Sequence, residues 1–525
     1  MANELAIESH QCDVLIVGGG AAATFAAFEC AEAGVSVIQA TKGRATSGTT
    51  TVARGGFAAA MSKDDSPELH YAEVIEHGGE LIDPELARIW THDIVEIVND
   101  LRSWGAEFVT DEQGELDMKM FPTHTKPRAV HHFDTTGNMV SKTLSRKLRA
   151  DDRITRHSLT AIVDLIKDGD RVVGSWGVDY SRGVLVAYAA SQVILAAGGG
   201  SGLFYVNDNP PQVTGDGYVL GFRAGVPLLG LEMIDFQAMC CSPKELFGFA
   251  PHPTGFINAG AVFRNQDGEE FLKRYFPDTA EKSTRSEVIL AMAKEIHAGR
   301  AGLTGGIFMD ATKIPMEVIQ KQIPHVYKTC LHRGIDITKT PLEVAPGSHT
   351  WLGGRAAAAL ARSEKRAPAP VGVPDADRAW IADLIARQEG IPQADLNMRC
   401  RMLAHEKLGP IRDAESCGSA IAEFGEIESV AVPQMRLGGD AAASEQARGL
   451  ELEGALSVRN LALLGRLLGT AALNREESRG AHFRLDFPVE DNARWQRVTR
   501  LEAGPDGAIE FHTDPVKATV PNAAQ

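Results

Sequence analysis

Three observations predict an α/β fold for this chain. Val14-Leu15-Ile16-Val17 is an unbroken apolar run ending in Gly18-Gly19-Gly20, and a small-residue helical stretch and a second strand-like run, Val35-Ser36-Val37-Ile38, follow it. From residue 160 the pattern changes to period two and closes at 193–200 in a second strand that ends in glycines. Residues 379–480 are mostly helical. The expected architecture is a Rossmann-like dinucleotide domain with a β-meander, an α+β capping domain, and a C-terminal helical domain with a terminal hairpin.

Each element has a local reason. A strand buried on both faces reads as a continuous apolar run, as 14–17 does. Gly18-x-Gly20-x-x-Ala23 then opens a helix that runs from Ala21 to Ala33 and stops at Gly34. Gly18 permits the tight turn, Gly20 lets the backbone approach a pyrophosphate, and Ala23 lets the helix pack close to the strand. The acid usual at the end of the second strand is missing, and Gln39-Ala40-Thr41-Lys42 stands there. Thr41 can hydrogen-bond a ribose hydroxyl and Lys42 can face a phosphate; the alternative is that both are loop residues.

Helical periodicity recurs at 87–105 and 138–150. The meander runs through Ala161 to Ile166, the turn Asp168-Gly169-Asp170, Val172-Val173, the turn Ser181-Arg182-Gly183, and Val184 to Ala187. It leads into Val193-Ile194-Leu195-Ala196-Ala197-Gly198-Gly199-Gly200. A second close backbone approach, preceded by a separate meander, favours FAD over NAD. Residues 241–344 are mixed, with helices expected near 284–299 and 315–333. Residues 363–378, rich in Ala, Pro and charge, read as a linker. The expected boundaries are an FAD-binding domain at 1–240 and 345–362, a cap at 241–344, and a helical domain at 379–525 with its hairpin turn at 502–507.

Composition narrows the function. Lys and Arg total 53 against 69 Asp and Glu in 525 residues, a formal charge of −16. An acidic chain is a poor match for nucleic acid or an anionic membrane. No apolar run approaches the ~20 residues of a bilayer span, and Met1 to Ala6 does not read as a signal peptide. The seven cysteines are scattered and form no Cys-x-x-Cys pair, so no iron–sulfur or zinc site is encoded locally. No metal is expected, and a reducing cytoplasm fits best. His131-His132, close to Arg128, either line the cofactor cavity or are ordinary loop histidines.

An ordered set of motifs now resembles the flavoprotein subunits of succinate dehydrogenase and fumarate reductase, together with L-aspartate oxidase. Ser47-Gly48-Thr49-Thr50-Thr51-Val52-Ala53-Arg54-Gly55-Gly56 is similar to the family's Ser-His-Thr…Gln-Gly-Gly loop against the flavin. Asp134-Thr135-Thr136-Gly137 is similar to its Asp-x-Thr-Gly turn, and Thr214-Gly215-Asp216-Gly217 to the run that closes the first FAD segment. Arg285 resembles the arginine that opens a helix in the cap. Pro346 to Gly354, with His349, resembles the His-containing Gly-Gly segment, and Glu477 to Arg484 with Asp486-Phe487-Pro488 the C-terminal signature.

The resemblance implies hydride exchange at FAD N5 and proton exchange at the neighbouring carbon of a small carboxylate substrate. It makes Arg285 the proton-transfer residue and His349 a hydrogen-bond donor to the carboxylate. It implies FAD contacts at Gly18, Gly20, Ala23, Thr41, Lys42, Ser47, Thr49, Thr50, Gly55, Gly56, Ala197, Gly198, Gly199 and Asp216. It also implies an iron–sulfur partner subunit, since no cluster is encoded here, and leaves a homodimer open.

The chain departs from the family in four places. Thr49 stands at the histidine of covalent members, and a hydroxyl cannot form the histidyl–flavin bond, so FAD is expected to be non-covalent. Phe236-Gln237-Ala238-Met239 stands where the family has His-Pro-Thr, while His252-Pro253-Thr254-Gly255 comes later and makes His252 a third catalytic candidate, or else a proline turn. The Arg-Gly-Glu-Gly-Gly stretch is replaced by Gly260 to Asn265. After Gly354 the segment that contacts the flavin and supplies a substrate-binding arginine is missing, with Arg355 the weak candidate to replace it. Met435 to Asp440 resembles the lost helix start by chance. The leading expectation is an FAD-dependent carboxylate oxidoreductase. The alternatives are an L-aspartate oxidase-like amine oxidation and a non-catalytic FAD electron-relay subunit.

Overall fold

The computed structural model describes residues 5–44, 47–78, 81–121, 124–133, 135–246, 248–251, 256–257, 259–352, 355–356, 368–438 and 444–517. The dinucleotide domain is built on strands β1 (Ile7–Val17), β2 (Val37–Thr41), β3 (Ile154–Ser158), β4 (Thr160–Asp168), β5 (Arg171–Asp179) and β6 (Val184–Leu195), in sheet order β3-β2-β1-β6-β5-β4. The first four in that order are parallel, and β6-β5-β4 form the antiparallel meander. β1 pairs with β6 from Ile7↔Leu185 to Val17↔Leu195, so both glycine turns leave the sheet at the same end. β1 begins well before the apolar run because its first half alternates exposed and half-buried residues, which hides a strand from a search for apolar runs.

Helix α1 (Ala21–Glu32) buries Ala23, Ala27 and Ala31, a face of small side chains that lets it lie close against the sheet. Gly34, at φ +74°, ends it. Two more helices of this domain matter below: α2 (Thr49–Val52) and α3 (Thr136–Arg149). Helix α4 (Asp216–Arg223) follows the second glycine turn.

The chain then passes through β7 (Leu228–Leu229) into the cap, whose antiparallel sheet has the order β8-β11-β10-β9: β8 (Ile234–Cys241), β9 (Val262–Arg264), β10 (Ile307–Asp310) and β11 (Leu342–Trp351). The cap sheet therefore crosses both expected boundaries, at 240/241 and at 344/345. Strand pairing of β8 with β11, which apolar patterning does not reveal, decides this. Helix α5 (Arg285–His297) starts on a capping box in which Thr284 and Glu287 serve each other's backbone amides.

The helical domain holds α6 (Gln393–Lys407), α7 (Ala414–Glu426) and α8 (Glu445–Asn474). A helix at Asp375–Ala386 precedes them and begins inside the stretch read as a linker. β12 (Arg355–Ala356) pairs with β7, which also pairs with the hairpin β13 (Arg497–Ala503) and β14 (Ile509–Pro515). One apolar core runs from Trp176 of the meander through Phe236 and Met292 of the cap to Phe424 and Leu464 of the bundle. Among the described residues no helix is long and apolar enough to cross a membrane.

Candidate functional site: a glycine-lined cleft beside an arginine–histidine cluster

The two glycine turns and the α2 loop enclose a cavity of about 250 Å³. It brings together Gly18, Gly20, Thr41, Lys42, Ser47, Thr49, Thr50, Ala197, Gly198 and Asp216. A Cβ on Gly18 would sit 2.1 Å from the Ala196 carbonyl oxygen, and its φ is +136°, so only glycine fits between the turns. Gly20 caps α1 without a side chain and the first turn carries no acid, which leaves the helix N-terminus open to a phosphate. The Thr50 hydroxyl accepts from the Ala21 amide at 3.2 Å at that same terminus. Thr41 is buried under Gly19, where the family's acid would stand. These residues fit FAD: the cradle is closed to side chains and open to a pyrophosphate.

Lys42 lines the cavity and is also held in an ion cluster. Its ammonium donates to Asp216 at 3.1 Å, Thr214 at 2.9 Å and Ser457 at 3.1 Å, and pairs with Glu453 at 2.8 Å. Burial alone would lower its pKa, but the Asp216 and Glu453 charges outweigh this and raise it. Asp216 is held below the usual carboxylate range, burial being outweighed by Lys42, Asn460 and Thr214. Glu453, Ser457 and Asn460 lie on α8, so the bundle is bonded to Lys42 and Asp216, two residues that line the cleft. Sequence reasoning missed this, since no local signal links residue 42 to residue 453.

Ala23 lies fully buried behind the cavity, where its small side chain packs. Gly199 and Gly200 turn toward Tyr218 and Trp351, which stack at 5.3 Å. Gly56, at φ +95°, lies so near the Val130 carbonyl that a Cβ would meet it at 2.4 Å, while Gly55 is exposed. Arg128 is fully buried against Asp65 at 2.7 Å and Glu73, so it belongs to a structural ion cluster rather than to the cleft.

Arg285 and His349, the described catalytic candidates, gather at the edge of the cap. His349, near the end of β11, pairs through Nδ1 with Asp208 at 2.7 Å, and that hydrogen bond raises its pKa against the pull of burial. Its carbonyl accepts from Asn209 Nδ2 at 2.7 Å, and Asn209 Oδ1 accepts from the Thr49 hydroxyl at 3.0 Å. One asparagine thus ties the α2 loop to the His349 strand. Arg285, first residue of α5, pairs with Asp235 of β8, and Asp235 lies opposite Thr350, the neighbour of His349. Burial pushes the Asp235 carboxyl up, partly offset by Arg285. Gln237, in the stretch that stands where the family has His-Pro-Thr, is buried and accepts from the Ala238 amide.

His252 lies outside the described residues, as do Asp134 and the side chain of Arg355. Asp208, Asn209 and Asp235 were not found from sequence. Asp235 stands just before Phe236 to Met239, where the family pattern breaks, and no signal in the sequence marked the acid itself. On the terminal hairpin Glu502, Glu510 and His512 come within metal-ligand reach of one another, on a half-exposed surface away from the cleft.

A dinucleotide cradle closed by a cap that carries an arginine and a histidine is the plan of an FAD-dependent oxidoreductase. The family described as FAD binding domain matches residues 13–370, and the one described as fumarate reductase flavoprotein C-term matches 398–524. A fumarate reductase (CoM/CoB) polypeptide of Methanothermobacter marburgensis is 31% identical, over 94% of this chain and 97% of that protein. The L-aspartate oxidase of a Synechocystis species is 27% identical over 94% of this chain and 97% of its own length. The Mycobacterium smegmatis Sdh1 structure superposes with a TM-score of 0.87 at 26% identity, covering 98% of this chain and 96% of that one. The chain belongs to the fumarate reductase/succinate dehydrogenase flavoprotein family.

Proposed function

We propose that this protein reduces or oxidises a small carboxylate-type substrate at the junction of the cleft and the cap. The observation that carries this reading is the Asn209 bridge, which sets His349 and the Arg285–Asp235 pair beside the loop that faces the cofactor. Bound FAD supplies hydride acceptance and donation. The protein's part is binding and proton transfer. Arg285 and His349, whose pKa the Asp208 hydrogen bond raises, offer two donors to a carboxylate, and Arg285 is the group that exchanges a proton with the carbon beside it. Gly18, Gly20, Thr41, Ser47, Thr50 and Gly198 hold the cofactor, without a covalent bond because Thr49 offers no imidazole. Electrons are exchanged with a separate iron–sulfur subunit, supported by the absence of any Cys-x-x-Cys pair in the sequence. The seven unpaired thiols support a reducing compartment, the cytoplasm.

Anaerobic titration of the purified protein with fumarate, succinate and aspartate, following the flavin absorbance, tests this. Fumarate oxidising the reduced flavin, or succinate bleaching the oxidised one, supports the carboxylate reading. Bleaching by aspartate alone favours amine oxidation. No response to any of them, with reduction by an iron–sulfur partner, favours an electron relay.

A further inference from the structure

Each donor at the edge of the cap is already held by an acid. Asp235 of β8 contacts the Arg285 guanidinium, and Asp208 pairs with His349 Nδ1 at 2.7 Å. The acid is the more deeply set member of each pair. The Asp235 and Asp208 side chains are 15% and 12% exposed, against 47% for Arg285 and 37% for His349. Asp208 is fixed through its other oxygen as well, which accepts from Asn209 Nδ2 at 3.0 Å. The pairs are not isolated, since the charges of Arg285, His349 and Asp208 all bear on Asp235. Arg54, on the loop that follows α2, is turned onto the Phe249 ring, 5.6 Å from its centre.

Two carboxylates therefore face one guanidinium and one imidazole. With the imidazole charged, the four groups cancel. With it neutral, one negative charge is left over. In neither state do these groups hold positive charge in surplus. A dicarboxylate asks for the opposite, because each anion drawn out of water has to meet a cation.

We infer that this edge selects a substrate with a single carboxylate, whose far end is an uncharged group that donates hydrogen bonds, an amide rather than a second carboxylate. This rests on the carboxylate reading above and narrows it. One carboxylate is accommodated, because a guanidinium has more N–H groups than Asp235 can take, and the Arg285 side chain is half open to solvent. On a small molecule a second carboxylate lies within a few ångströms of the first, in the field of both acids. Like charges at that range repel, the more so where water is partly excluded. An amide N–H in the same place is attracted to the acids instead. Asp208 and Asp235 thus set specificity by repelling the wrong ligand as well as by holding the donors that bind the right one.

Fumarate and its monoamide test this, since they share nearly one shape and differ by one charge. Their affinities for the oxidised holoprotein are measured by calorimetric titration at neutral pH, with no electron donor. Wild type is expected to bind the monoamide about 10-fold more tightly than fumarate, the scale of one like-charge repulsion at a partly solvated site. Asp235→Asn removes one acid and is expected to abolish most of that preference. Asp235→Glu keeps the charge and is expected to retain it, which separates charge from packing. Fumarate bound by wild type as tightly as the monoamide, or a preference unchanged in D235N, overturns the inference alone. Binding of neither ligand by wild type overturns the carboxylate reading and this inference with it.

Discussion

Replacing Lys42 by methionine tests whether the ion cluster it forms with α8 holds the helical bundle to the wall of the cleft. The ammonium meets four oxygens, from Thr214, Asp216, Glu453 and Ser457, at 2.8–3.1 Å. Its side chain is 17% exposed, and those of Asp216 and Glu453 are 16% and 19%. Lys42→Met keeps the stem and removes the charge, leaving two carboxylates from different domains facing each other. Breaking a mostly buried pair in this way costs about 3–5 kcal/mol. At roughly 2–4 °C per kcal/mol for a domain of 150–250 residues, Tm should fall by about 6–20 °C. Thermal unfolding of the holoprotein, followed in parallel by far-UV circular dichroism and by release of flavin fluorescence, measures it. Flavin should be released first, because Lys42 and Asp216 themselves line the cavity. Adding Glu453→Gln to K42M should recover part of the loss, since it removes one of the two uncompensated charges. A K42M shift within the range of about ±0.5 kcal/mol seen for ordinary surface substitutions, or no recovery in the double variant, would refute the reasoning.

Three further outcomes are expected. Gly18→Ala should give protein that purifies with little flavin per chain, because its Cβ would lie 2.1 Å from the Ala196 oxygen; normal flavin content would show that the turn is not the cradle. Acid precipitation of wild type should leave all flavin in the supernatant, and flavin retained in the pellet would contradict a non-covalent site. Asp208 raises the pKa of His349 above its ordinary value of 6.5. Carboxylate affinity that depends on the imidazolium should therefore hold below the raised pKa and decline as pH climbs through it. Asp208→Asn should move that decline to lower pH, and an unmoved midpoint in the pH dependence of KM would argue that His349 does not bind as a cation.

Much of the cleft was legible in sequence because its parts are short-range. A strand, a glycine turn and a small-residue helix follow one another within residues 14–33, and steric rules act on neighbours. The second glycine turn was legible for the same reason. The reactive edge was less so. His349 and Arg285 were found through family motifs, but their carboxylate partners Asp208 and Asp235 were not, since nothing in the surrounding residues sets these acids apart. Nor did apolar patterning show that β8 and β11 share a sheet, because pairing between segments so far apart in the chain leaves no periodic trace.

The sequence by itself determined the class of domain and the two glycine turns, at Gly18–Gly20 and Gly198, that line the cleft. Those depend on backbone freedom and residue chemistry, which are local. Tertiary structure alone decided what the charged residues do. It set Lys42, on the wall of the cleft, at the centre of an ion cluster with Asp216 and Glu453. It put Asp235 against Arg285 and joined Thr49 to His349 through Asn209. A charge acts on whatever lies within a few ångströms, and which groups those are is settled only when distant segments pack together.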